Sequence, residues 1–384
     1  MSRPPRFFAT CGQGIEPWLF QEAQALGLPG ATQAPGGVAF DGDRVDGMRA
    51  CLWLRSATRV LEVVGGGPAR SETGLYKAAK AVPWERWLTP ETTFRVDATV
   101  AHSALTHSGY VALKTKDGLV DRLRQKLGSR PSVSVDDPQA WIRVRLYRDQ
   151  VTFALDLAGY PLHLRGLDRD GGIAPLKETL AAALALATDW DGTSPLYDPF
   201  CGTGTLAVEA AWIHMNRAPG LDRVFGFEGL ADHAADPWST LIDEALAAVK
   251  PQPPGPIILS DWDAEQRHRA RQLLDSAEIK AEVKSADARS FTPTEGPGVI
   301  LTNPPYGERL DPEGGIPRLY RAFGDRLKSH GTGCTLHMIT TPACLKTLGL
   351  RTERKLPFYN GDLDCRLVRV PLFQGARKDQ RGRR

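Results

Sequence analysis

From about residue 191 onward, short apolar runs alternate with amphipathic stretches of helical length, and this alternation constrains the fold more than any other feature of the chain. SPLYDPF (194–200), PIILSD (256–261), AEVKSAD (281–287), GVILTNPPY (298–306), CTLHMITT (334–341) and CRLVRVPLF (365–373) read as strands. CGTGTLAVEAAWIHM and AEQRHRARQLLDSA read as helices between them. Such alternation predicts an α/β domain, an open and mostly parallel sheet with helices on both faces. Ligands of these sheets bind at the carboxyl ends of the strands, near the reversal of strand order. The residues at those ends are the candidates for chemistry.

DPFCGTGT (198–205) stands between the first of these strands and its helix. Gly202 and Gly204 let backbone N–H groups come close to a ligand, and the helix offers unpaired N–H groups at its amino end. A simple tight turn would use the same glycines. A phosphate-binding P-loop would need GxxxxGK[ST], and no Lys follows here; a nicotinamide fingerprint would need a third glycine and an acid ~20 residues on. An Asp opening the loop suits a ligand with a cationic end, such as S-adenosylmethionine. On this reading Asp198, Phe200, Cys201, Gly202, Thr203, Gly204 and Thr205 line the cofactor. Asp261 ends the second strand, where a carboxylate can accept both hydroxyls of a ribose, and Trp262 could cover the adenine face. Asp287, followed by Ala288, ends the third strand, where a carboxylate can accept the adenine amino group. Singly, each of these acids reads first as a helix N-cap. The ordered set on three successive strand ends favours the ligand.

NPPY (303–306) follows the fourth strand. Its prolines fix φ near ~−65° and remove two N–H donors, which leaves rigid carbonyl acceptors. A planar exocyclic amine is a poor nucleophile, because its lone pair is delocalised into the ring. The Asn303 side-chain oxygen and the Pro304 carbonyl could each accept one N–H, Pro305 would stiffen the turn, and Tyr306 would stack on the base. Catalysis of this kind rests on positioning and charge complementarity and needs neither a metal nor a covalent nucleophile. A Pro-rich turn is the alternative for the tetrapeptide alone; its place one strand beyond Asp287 favours a methyl-acceptor site.

Residues 1–165 have an α+β texture without a catalytic cluster. FFATCGQGIEPWLFQEAQALG predicts strand, turn and helix. GGVAFDG and MRACLWLRSATRVLEVV predict a strand, a helix and a strand. GLVDRLRQKLG predicts a helix, and AWIRVRLYRDQVTFALDLAG a hairpin turning near Arg148–Asp149. Charge also divides the chain. Residues 1–165 carry 21 Lys+Arg and 16 Asp+Glu, whereas residues 166–376 carry 22 and 28. A basic front beside an acidic back points to a polyanionic partner for the front. The densest block, Lys114, Lys116, Arg122, Arg124, Lys126 and Arg130, is either that grip or a solvated helix face. RKDQRGRR at 377–384 reads as a disordered basic arm.

The two motifs together resemble the first and fourth motifs of class I amino-methyltransferases. The front half resembles the THUMP-domain RNA methyltransferases, in FATCGQGIEPWLFQEAQALG, KDGLVDRLRQKLGSRPSV and LDLAGYPLHLRG, and GGIAPLKETLAAALAL, APGLDRVFGFE and YNGDLDCRLVRV are similar to further family segments. The nearest resemblance is to the RlmL/YpsC-like group, which implies methylation of a guanine N2 in 23S rRNA; shorter tRNA guanine-N2 enzymes share the same front. The resemblance implies a Rossmann-like catalytic domain with a seven-stranded sheet at 166–375. It also implies a ferredoxin-like plus THUMP RNA-binding region at 1–165, with THUMP at about 45–157, and 376–384 forms the basic tail. It implies that Asp198 to Thr205, Asp261 and Asp287 bind S-adenosylmethionine and that Asn303 to Tyr306 hold the base.

Other classes fit less well. The six cysteines form no CxxC pair and the histidines show no ligand spacing, which predicts neither a metal site nor a disulfide framework and suits a reducing cytosol. Cys201 reads as loop packing rather than as a nucleophile. No run approaches the ~18 apolar residues of a membrane helix, and the first fifteen residues lack a signal-peptide core, so a cytoplasmic protein is expected. Lys177 and Glu178 read either as pocket residues or as a surface pair. An adenine N6 of DNA or a glutamine amide would also suit NPPY, but neither acceptor needs the front region. A non-catalytic RNA-binding factor would not need the full set of Asp198, Gly202, Gly204, Asp261, Asp287, Asn303 and Tyr306.

Overall fold

The computed structural model describes residues 6–129, 131–167, 176–188, 190–306 and 315–373. The first part of the chain runs β1 (Phe7–Thr10), α1 (Glu16–Ala25), β2 (Thr32–Ala34), β3 (Gly37–Phe40), α2 (Arg44–Trp53), β4 (Arg59–Pro68), α3 (Glu72–Ala81), β5 (Phe94–Ala101), α4 (Ser108–Leu127), β6 (Ala140–Tyr147) and β7 (Gln150–Asp156). The second part runs α5 (Glu178–Leu186), β8 (Leu196–Asp198), α6 (Thr205–His214), α7 (Ala235–Ala247), β9 (Ile257–Asp261), α8 (Ala264–Ser276), β10 (Glu282–Ser285), β11 (Val299–Thr302), α9 (Gly315–His330), β12 (Thr335–Thr340), α10 (Pro342–Leu348), β13 (Arg354–Asn360) and β14 (Leu363–Pro371). Two compact units divide it: one of residues 1–11, 19–166 and 219–247, the other of 12–18, 167–218 and 248–384. The segments 12–18 and 219–247, the latter with α7, thus belong to the unit opposite their place in sequence. No composition shift marks those exchanges, and a single boundary near residue 165 leaves them out.

The first unit is built on a seven-stranded sheet in the order β2-β3-β1-β4-β7-β6-β5. Its pairs are antiparallel except β5 with β6. Helices α3 and α4 pack on each other and on one face of the sheet. They bury Leu75, Ala79, Val111, Leu119 and Leu123, and the strands bury Ile142, Val144, Leu146 and Phe153. Helix α4 starts where the His107 ring accepts the Tyr110 N–H at 3.1 Å and stops at Gly128 in the left-handed conformation. The β6–β7 turn falls at Arg148 and Asp149, both with positive φ, as a two-residue hairpin turn requires. Asp156, buried at the end of β7, lies between the guanidiniums of Arg59 and Arg143.

The second unit carries the order β10-β9-β8-β11-β12-β14-β13. Its first five strands are parallel, and β14 runs antiparallel to β12 and β13. Tyr197, Ile300, Leu336, Met338 and Val368 from the strands and Phe323 and Leu327 from α9 form the core on one side. Chain order reverses at β8, flanked by β9 and β11, so the ligand crevice of such a sheet falls beyond the carboxyl ends of β8 and β11. The six expected strands are present. β13 is the addition that the sequence hides: RKLPFYN is charged and carries Pro357, which a sheet tolerates only at an edge. No helix among the described residues is long and apolar enough to cross a membrane.

Candidate active site

At the end of β8 the chain turns through DPFCGTGT into α6. Gly202 (φ 50°) and Gly204 (φ 82°) are both left-handed, and Gly204 caps the helix. A Cβ on Gly202 would meet nothing closer than Gln266 at 3.9 Å. Space above the loop is therefore open, and the backbone conformation is what calls for glycine. The loop is pinned from β9: the Asp261 carboxylate accepts the Gly202 N–H and the Asp263 N–H, each at 3.0 Å, and the Cys201 N–H reaches the Ser260 carbonyl at 3.0 Å. Thr203 and Thr205 share a hydroxyl contact at 3.2 Å. Phe200 turns inward with its ring edge-on to Phe323. Burial pushes the Cys201 thiol well up, which suits packing and not nucleophilic attack.

The sheet itself explains the position of Asp198. Strands β8 and β11 pair only at Leu196–Val299 and Tyr197–Ile300. Where that ladder ends, a side-chain bond continues it: the Thr302 hydroxyl donates to Asp198 Oδ1 at 2.6 Å, and the Phe200 N–H donates to the same atom at 3.1 Å. Asp198 Oδ2 is buried without a hydrogen-bond partner among the described residues. No cation among the described residues pairs with this carboxyl. Burial, helped by the Asp261 charge, pushes its pKa up to about 7 against those two hydrogen bonds.

One residue beyond Thr302, Asn303 begins the NPPY segment. Its Oδ1 is likewise buried and without a partner among the described residues. Two acceptor atoms thus stand unsatisfied at the end of adjacent parallel strands, joined by one threonine hydroxyl. Buried acceptors left open in this way are complementary to a donor or a cation brought by a ligand. Tyr306 is fixed from the β13–β14 hairpin: its hydroxyl accepts from Asn360 Nδ2 at 3.0 Å. Burial raises its pKa, so the phenol stays protonated.

The other expected residues divide. Trp262 stands 75% exposed beside Asp261, free to cover a ligand. Asp287 caps a short 3-10 turn that begins at the buried Ala288, and both its oxygens lie on Arg289, which pulls its pKa down. A ligand N–H there would share an acceptor already in use. Glu178 is buried in the first turn of α5, which rules out a surface pair with Lys177. In the first unit, Arg122 is tied to Glu85 by two bonds (2.6 and 2.8 Å) and to two backbone carbonyls. Lys114 and Arg124 face Asp117 and Asp121. Lys116 and Lys126 make no ion pair among the described residues, and Arg130 and the 376–384 tail lie outside those residues. Among the described residues no group of three or more His, Cys, Asp or Glu side chains could hold a metal ion. Sequence reading missed Thr302 and Asn360. Thr302 was available as the residue before NPPY, but its partner emerges only once β8 and β11 are known to be neighbours.

Comparison with known proteins agrees with this layout. Residues 165–369 match the RMKL-like methyltransferase domain, residues 69–156 the THUMP domain, and residues 6–61 the RlmL ferredoxin-like domain. A relative in Syntrophotalea carbinolica, "Ribosomal RNA large subunit methyltransferase K/L", is 38% identical over 97% of this chain and 54% of its own length. The chain spans about half the length of the curated relatives it matches first. Among solved structures, SMU.472 complexed with SAH is 29% identical with a TM-score of 0.86, covering 99% of this chain and 100% of that one. A Listeria monocytogenes protein, named by prediction an N6-adenine-specific DNA methylase, is 31% identical with a TM-score of 0.85, covering 96% and 97%.

Proposed function

The chain belongs to the family of RMKL-like methyltransferase domains, and we propose that it methylates the exocyclic N2 amine of a guanine in RNA, with S-adenosylmethionine as cofactor. The observation that carries this reading is the pair of unsatisfied acceptors, Asp198 Oδ2 and Asn303 Oδ1, at the strand reversal. Asp198 offers a buried carboxylate without counter-charge, which fits the cationic end of the cofactor. Asp261, Gly202, Gly204 and Trp262 would hold its remaining parts. When bound, the cofactor supplies an electrophilic methyl group on a sulfonium.

The chain's own residues then do the positioning. Asn303 Oδ1 and the Pro304 carbonyl accept the two N–H bonds of the amine and turn its lone pair toward the methyl group. Tyr306, held by Asn360, keeps the base plane fixed, and the proton of the product amine is shared with those acceptors before it leaves to solvent. RNA as the acceptor is supported by the THUMP match and by the name of the K/L relatives. The same name favours 23S rRNA over tRNA.

The test is a transfer assay with labelled cofactor and ribosomal RNA, tRNA, DNA and protein that lack their own methylations, the nucleic acids digested to nucleosides and the protein to amino acids. N2-methylguanosine from large-subunit rRNA is expected. Label found only as N6-methyladenine in DNA or as N5-methylglutamine in protein would overturn the reading, and label in tRNA would move the target.

A further inference from the structure

One face of the first unit's sheet is covered by α3 and α4; the opposite face carries a gradient of charge. On β6, Trp141, Arg143, Arg145 and Tyr147 point to that open face, because Ile142, Val144 and Leu146 are buried on the other. In register beside them on β5 stand Arg95, Asp97, Thr99 and Ala101, and on β7 Ala154 and Thr152. At one end the cations are neutralised, since Arg143 faces Asp97 and Asp156 and Arg95 faces Asp97. At the hairpin end they are not. Arg145 and Arg148 make no ion pair among the described residues, and both guanidiniums lie over the Tyr147 ring, 4.6 and 5.2 Å from its centre.

The neighbours of this stack are small except for Gln150. Thr99 and Thr152 flank Arg145, Ala101 flanks Tyr147 on one side with the exposed Gln150 on the other, and Gly66 on β4 lies beyond Thr152. Little rises beside Arg145, which stands proud of a low floor, and beside Tyr147 only Gln150 reaches up, a polar neighbour able to hydrogen-bond a base edge. Its rim is rigid. Asp149 is locked by the Ala104 N–H (2.8 Å) and the Ser103 hydroxyl (3.0 Å), and His102, itself left-handed at φ 53°, sets its ring edge-on to Tyr147 at 5.6 Å. Three non-glycine residues with positive φ, His102, Arg148 and Asp149, meet at one corner, a backbone arrangement that persists only where the surroundings impose it.

We propose that this corner is a stacking platform for an unpaired stretch of RNA. Guanidinium planes over an aromatic ring offer a face on which a base stacks, and Arg148 and His102 at the rim are placed for the flanking phosphates. A protein partner is less suited, because no large exposed apolar side chain among the described residues lies at this end of the face. A duplex is less suited because its base faces are hidden. The proposal rests on the reading of RNA as substrate and relocates the grip: Arg122 on α4 is already engaged with Glu85, whereas the platform cations face no carboxylate among the described residues.

The experiment uses the full chain and a fluorescein-labelled 12-nucleotide single-stranded RNA of mixed sequence, with the matching duplex as control, followed by anisotropy from low to high salt. R145A/R148A is expected to bind the single strand about tenfold more weakly, with the salt slope reduced by ~0.7 for each phosphate no longer neutralised. R145K is expected to keep the salt slope and still lose affinity, since the ammonium keeps the charge but not the stacking plane. Unchanged melting temperatures confirm that each variant is folded. If R145A/R148A binds the single strand like the parent while the parent methylates RNA, the platform is overturned and the functional reading stands. If the parent neither binds nor methylates any RNA, the functional reading falls with it. Equal loss on single strand and duplex would also overturn a stacking site.

Discussion

Each sheet buries a carboxylate at the end of a strand, Asp156 in the first unit and Asp198 in the second, and the two differ in what surrounds them. Asp156 sits between Arg59 and Arg143, which oppose the desolvation that raises its pKa. Asp198 has a hydroxyl and a backbone N–H as donors, and the charge that acts on it, Asp261, has the same sign. An acid buried with two guanidiniums is a charge-balanced structural joint, even though Asp156 Oδ1, like Asp198 Oδ2, has no hydrogen-bond partner among the described residues. An acid buried with no counter-charge is an unfinished one, and it lies where a parallel sheet opens its crevice. The difference separates a joint whose charges balance from one that, on the proposed reading, is completed by a ligand's cation.

Substitutions break or sharpen that contrast. Asn303→Ala removes an acceptor from the second sheet alone, and kcat is expected to fall on the order of 10²-fold or more, as for other pre-positioned hydrogen-bonding groups. Cofactor affinity, measured by calorimetry, should hardly move. Asp156→Asn strips the counter-charge from two arginines, and urea unfolding should show a loss of about 3 kcal/mol, the low end for a broken buried pair because Arg143 keeps Asp97. Asp198→Asn should do the opposite to stability, leaving the melting temperature of the ligand-free protein level or higher, while cofactor affinity falls roughly tenfold or more for the lost charged bond. If both Asp→Asn variants lose stability alike, the contrast fails. The smallest effect is expected at Tyr306. Tyr306→Phe and Asn360→Ala should each slow turnover about fivefold, and the double variant should be no slower than either, because both remove one hydrogen bond of ordinary strength.

Much of the second unit was legible because parallel strands are apolar runs that end in recognisable turns, and its candidate site was placed in the same way, at those strand ends. DPFCGTGT and NPPY therefore marked the crevice from their order along the chain. What stayed hidden depends on contacts between distant segments. The Thr302–Asp198 bond requires knowing that β8 and β11 adjoin, and Asn360 sits on an edge strand whose proline and charges mask it. In the first unit the hairpin turning at Arg148–Asp149 was readable from alternation alone. The pairing that neutralises Arg143 and leaves Arg145 bare was not, since it depends on which residues of β5 and β7 lie opposite.

Proton release on cofactor binding tests the central claim most directly. Asp198 has a folded-state pKa raised to about 7 from an ordinary 3.8. Between those values the ligand-free fold therefore holds a proton that the unfolded chain has lost, and this group's contribution to stability falls as pH rises through that window. A cationic ligand favours the charged form and expels the proton. Titrating S-adenosylhomocysteine, whose amino group is cationic, at pH 6 in buffers of different ionisation enthalpy should show release of nearly one proton by the parent and none by Asp198→Asn. Affinity of the parent should climb by up to tenfold per pH unit and level off above about pH 7. Binding with no proton released, or with the same release in both proteins, would contradict the assignment of Asp198 as the cofactor's counter-charge.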